Sequence, residues 1–98
     1  MKTAADFLDD LRAKFGLTSD YQLAKLLGMA PQQVCRYRRA RSTFDDTTAA
    51  RIAGMLKVEP GYVAACMNAQ RAQTDQARRM WERAAKTLGG HRGRDPGR

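Results

Sequence analysis

Side chains able to do chemistry are few in this 98-residue chain, and most of them can be assigned a plain structural task. Cys35 and Cys66 lie far apart with no CxxC spacing, and the single histidine, His91, sits in a Gly- and Arg-rich tail. No zinc set can be assembled from them, and no metal or other cofactor is expected. Two reduced cysteines at helical, partly buried positions fit a cytoplasmic protein. Asp45 and Asp46 stand where a helical pattern begins, so they suit a helix cap better than acid–base catalysis. A nucleophile–base pair and a Gly-rich phosphate loop are both missing, which makes an enzyme the weakest candidate. What remains is arginine: Arg36, Arg38, Arg39 and Arg41 crowd one short stretch.

The chain carries 18 Lys and Arg against 10 Asp and Glu, a net charge of +8, and the excess is uneven. Residues 1–34 hold four basic and four acidic side chains, a net of zero. Residues 35–59 hold six against three, and residues 60–98 eight against three. Positive charge therefore begins at the arginine cluster, as a phosphate-binding footprint would. The plainer reading of the cluster is a solvated helix face.

The elements that must position these residues read as helices throughout. A hydrophobic content of 43% is enough for one compact domain with an appendage. No long apolar run and no signal-like start is present, so neither a membrane span nor export is expected. Alternating strand patterns and Asn-Gly or Asp-Gly hairpin turns are missing. Phe7, Leu8, Leu11 and Phe15 predict an amphipathic helix over residues 3–14, ended by Gly16. Ser19 and Gln22 make a capping box for a second helix with Leu23, Ala24 and Leu27 inward, stopping at Gly28. Pro31 suits the first position of a third helix. Asp45 or Asp46 caps a fourth, with Ala49, Ile52, Ala53 and Leu56 on one face. Pro60 opens a fifth, which runs on to Leu88 with a break near Asn68. The segment from Gly89 onward, without an apolar residue, is expected to be disordered.

Two short helices joined by a tight turn containing Gly form a supersecondary unit with specific demands. Ala24 supplies a small residue where the next helix crosses. Gly28 supplies the left-handed backbone of the turn. Val34 plugs the third helix into the core, with Leu23, Leu27 and Tyr37 around it. The stretch YQLAKLLGMAPQQVCRYRRARS resembles the helix-turn-helix of the lambda-repressor and Cro family of phage and bacterial regulators. ARIAGMLKVEPGYVAA resembles that family's fourth helix, Leu-x-Val-x-Pro connection and fifth helix, so the likeness runs from Leu8 to Cys66.

The resemblance implies an all-α, five-helix DNA-binding domain over residues 1–66; outside it, helical spacing gives a helical extension over 67–88 and composition a basic tail over 89–98. It implies that Gln32, Gln33 and Arg36 face base edges, which agrees with the pairing of Gln to adenine and Arg to guanine. It implies that Ser19, Tyr21 and Gln22, then Arg39 and Arg41, hold phosphates, with Arg38 suited to a phosphate, to a base edge or to neither. Pro31 stands where family members often carry a DNA-reading side chain, and Ala30 is a poor N-cap. Both leave the operator sequence open.

Beyond the resemblance, Ala77, Met80, Trp81, Ala84 and Leu88 form a stripe at helical spacing that either folds back on the domain or pairs two copies. Pairing is the expectation, with Arg78, Arg79 and Arg83 beside it available to phosphates. The leading reading is thus a repressor of the Cro type that binds double-stranded DNA as a homodimer. The alternatives are an antitoxin that regulates its own operon, or a module recognising acidic protein or RNA.

Overall fold

Helix starts in this chain are written by short polar side chains. In the computed structural model, which describes residues 1–89, Thr3 caps α1 (Ala4–Phe15) and closes a full capping box with Asp6. Ser19 caps α2 (Asp20–Leu27), Asp45 caps α4 (Asp46–Leu56) and Thr74 caps α6 (Asp75–Leu88), each side chain accepting a backbone N–H of the first turn. α3 (Pro31–Arg38) and α5 (Pro60–Arg71) start instead on a proline, which needs no N–H partner, after uncapped Ala30 and Glu59. The N–H of Thr3 holds the Asp6 carboxyl below its usual range, and that of Thr48 does the same for Asp45. Both caps therefore contribute at neutral pH and are lost as acid protonates them.

The described residues are all-helical, and none of their helices is long and apolar enough to cross a membrane. They divide into two compact units. Lys2–Thr43 carries α1, α2 and α3; Phe44 onward, with Met1, carries α4, α5 and α6. The boundary expected at residue 66 falls inside α5. The tail expected from Gly89 lies, past the Gly89 C-cap itself, outside the described residues.

In the first unit each helix packs on the other two. Phe7, Leu8 and Leu11, then Leu23, Ala24 and Leu27, then Val34 and Tyr37, are buried. Each large apolar side chain among them contributes about 1.5–3 kcal/mol relative to exposure. In the second unit α5 lies between α4 and α6. Its buried Val63, Ala65, Cys66, Met67 and Ala69 point in several directions around the axis, as a central helix requires.

The break expected near Asn68 comes later. Asn68 is inside α5, its amide donating to the Ala64 carbonyl at 2.9 Å, and the chain turns only at Ala72. α6 then returns along α5: Ala85 is fully buried, and Leu88 lies so close to Gly61 that a Cβ there would stand 3.0 Å from its Cδ1. Much of the Ala77–Leu88 stripe, expected to pair two copies, thus folds back on its own unit.

Two helix ends use a left-handed residue that is not glycine: Ala40 (φ 58°), just past α3, and Lys57 (φ 61°), at the end of α4. Ala40 closes its helix because the Arg41 N–H reaches back to the Arg36 carbonyl at 2.9 Å. Both side chains are exposed, so glycine there removes strain without emptying a packed site. Ala40→Gly and Lys57→Gly are each expected to stabilise the protein by about 0.5–1 kcal/mol, read as a higher urea midpoint with an unchanged slope.

Candidate nucleic-acid interface

α3 presents one face to solvent because the opposite one is plugged into the core. Val34 and Tyr37 are 0% and 5% exposed. Gln32, Cys35, Arg36 and Arg39 are exposed and recur at i, i+3, i+4 and i+7, a single outward stripe ending on the Arg39 C-cap. The turn from α2 to α3 sets this stripe. Gly28 is left-handed (φ 68°) with open space around its missing side chain, so the turn needs its backbone freedom and not its small size.

The structure separates the arginines that the sequence places together. The side chains of Arg36, Arg39 and Arg41 are exposed and form no ion pair or hydrogen bond with a described residue. Arg38 points the other way, 22% exposed, and is already engaged. Its Nε and Nη2 grip both oxygens of Asp20 at 3.0 Å, and its Nη1 reaches Asp9 at 2.6 Å and the Ala5 carbonyl at 3.3 Å. The hydrogen bond to Asp20, only partly opposed by burial, holds the guanidinium pKa above its ordinary value. Arg38 therefore ties α3 to α1 and α2, and its expected place among phosphate contacts gives way to this role. With Asp20 and Asp9 still 40% and 63% exposed, the network contributes on the order of 1 kcal/mol.

At the start of α2, Ser19 Oγ accepts the Gln22 N–H at 3.2 Å, half of the expected capping box. The other half is displaced: Gln22 Oε1 accepts the N–H of Thr18, not of Ser19, at 2.7 Å. The Ser19 hydroxyl proton and the Gln22 amide protons remain as donors. Asp20, a negative charge in this first turn, is offset by Arg38 and by Arg12 at 3.5 Å, so it does not repel an anion at full strength. Tyr21 is 61% exposed with the Lys25 ammonium over its ring.

Of the residues expected at base edges, Gln32 and Arg36 share the outward stripe. Gln33 sits on its flank, half-buried, with a long 3.5 Å contact to Ser42 Oγ. Cys35, expected to be partly buried, is exposed in the middle of the stripe. Its helical register between Gln32 and Arg36 carried that signal. The second unit holds the residues expected to pair two copies. Ala77, Trp81 and Ala84 are half-buried, while Met80 and Leu88 are 51% and 43% exposed. Comparison of the chain with protein-family models, with curated proteins and with solved structures finds no match.

Proposed function

We propose that the chain is a sequence-specific DNA-binding transcriptional regulator that reads the major groove with α3. The observation that carries this reading is the outward stripe of α3, where Gln32, Arg36 and Arg39 form no hydrogen bond or ion pair with a described residue and stand opposite a fully buried anchor. An α-helix fits the major groove, Gln pairs bidentately with adenine, and Arg with guanine. Cys35 between them is a small apolar surface suited to a thymine methyl. Ser19, Tyr21 and Gln22 at the head of α2, with Arg39 and Arg41 after α3, hold the flanking phosphates and fix the register of the reading helix. In this reading the finer fold is that of the lambda-repressor and Cro family, which the residues from Leu8 to Cys66 resemble.

Two copies are expected on one operator, with the exposed Met80 and Leu88 on the pairing surface. Two-fold pairing sets the reading helices about 34 Å apart and centres the half-sites about 10 base pairs apart. Selection from a pool of random duplexes tests the whole reading. Inverted repeats at that spacing are the expected yield. A pool that stays random after repeated rounds defeats sequence-specific binding, and enrichment of a single half-site defeats the dimer alone.

A further inference from the structure

α6 carries two kinds of cation. Arg78 is paired along its own helix with Asp75 and Glu82, the two acidic residues of α6. Arg79, Arg83 and Lys86 are exposed, recur at i, i+4 and i+7, and form no ion pair or hydrogen bond with a described residue. This register places them opposite Ala77, Trp81 and the buried Ala85, the side that packs on α5. Neighbouring like charges at these spacings repel. Arg78 engages both nearby acids, Asp75 at 2.5 Å and Glu82 at 4.0 Å, and that trio offsets the line's three positive charges by only one. The helix thus keeps a net positive line facing solvent, only partly offset along its own length, an arrangement completed by an external polyanion.

We propose that this outward face of α6 grips the phosphate backbone of duplex DNA, as a sequence-independent contact in addition to the one made by α3. The choice of duplex DNA as the polyanion rests on the function proposed above; the anionic character of the partner does not. Three features favour a duplex. From Arg79 to Lys86 the line spans about 10 Å of straight helix at roughly 1.5 Å per residue. A duplex offers one negative charge per roughly 1.7 Å of axis, so about six phosphates lie within that length. No aromatic ring stands on the line, Trp81 being on the opposite side and half-buried, so the stacking platform that single strands need is missing. The line itself carries no large apolar side chain; the exposed Met80 lies at its margin and the exposed Met1 lines a hollow with Arg79, Glu82, Arg83 and Lys86, and neither is the aromatic anchor that protein partners favour.

The full chain is tested as a triple variant, Arg79→Gln with Arg83→Gln and Lys86→Gln, against wild type and against Arg78→Gln, whose cation is already paired. The probes are the duplex selected from the random pool, an unrelated duplex and a single-stranded RNA of equal length. The substitutions remove repulsion within the line and attraction to Asp75 and Glu82 alike, so the melting temperature of the triple variant should stay close to that of wild type. The slope of log affinity against log salt concentration should become shallower by about 2–3 for both duplexes, from about 0.9 per lost phosphate contact. The ratio of affinities for the two duplexes should stay as in wild type, and Arg78→Gln should move the slope much less. A triple variant with the wild-type slope, or one no different from Arg78→Gln, overturns the proposal, as does a larger loss on RNA than on duplex. If the pool yields no preferred sequence but the slope on the unrelated duplex still falls, the reading of α3 fails and this one stands. If wild type binds neither duplex, both fall.

Discussion

Ala24→Leu is expected to lower the melting temperature and abolish duplex binding in one step. Ala24 is 1% exposed in α2, which packs on both α1 and α3. A leucine there has no space to enter, and overpacking of this kind costs about 1–3 kcal/mol or more. For a chain of this size each kcal/mol corresponds to roughly 4–8 °C. The binding loss has its own cause. The Ala24 carbonyl accepts the N–H of Met29 at 3.0 Å, inside the turn that aims α3. Pushing α2 outward therefore tilts the reading stripe even in molecules that remain folded. Ala50→Leu, at an exposed position of α4, is the control and should leave both properties unchanged. Thermal unfolding followed by circular dichroism, with a duplex titration on the same samples, decides it. A fully stable Ala24→Leu protein would mean that the backbones of these helices do not approach at Ala24.

Features set by one residue's own chemistry were legible in the sequence. Gly28 is left-handed because a turn there needs a backbone that other residues resist, and Pro31 and Asp45 start helices for equally local reasons. Most of the periodic apolar residues went inside as their spacing required, Phe15 at the end of α1 being the exception at 42% exposure, so the all-helical class and the outward stripe of α3 followed. Features set by distant partners were not legible. Nothing local distinguishes Arg38 from Arg36, Arg39 and Arg41. Its inward turn depends on Asp20 and Asp9, which lie 18 and 29 residues away in the chain.

Helix ends show the same division. Ala40 and Lys57 adopt a glycine-like backbone that no residue signal announces, imposed by the closing hydrogen bonds of the turns around them. Asn68 reads as a breaker, yet its amide folds back on the Ala64 carbonyl and the helix continues. The signal for the true junction was present just beyond the end of α5: Thr74 followed by Asp75, a capping pair ahead of the α6 pattern. A cut after Asn68 would accordingly divide α5 and expose the packing between α5 and α6, so the pairing of copies is better probed by substitution at the exposed Met80.

Three arginines of one cluster should fail in three different ways. Arg36→Ala, which removes an exposed side chain from the middle of the stripe, should cost about 1–3 kcal/mol on the selected operator and relax preference at one base pair. Its melting temperature should not move, since no internal partner is lost. Arg41→Ala should weaken all duplexes alike and make the salt dependence shallower by about 0.9, the mark of a phosphate contact. Arg38→Ala should do neither directly. It releases Asp20, Asp9 and the Ala5 carbonyl, so the protein should lose on the order of 1 kcal/mol of stability, while the ranking of duplexes by the folded fraction stays the same. Thermal unfolding, repeated selection with each variant and a salt titration separate the outcomes. If Arg36→Ala and Gln32→Ala both leave sequence preference untouched, α3 is not the helix in the groove. If Arg38→Ala changes preference at a base pair without loss of stability, its guanidinium reads DNA and the strut assigned to it is wrong.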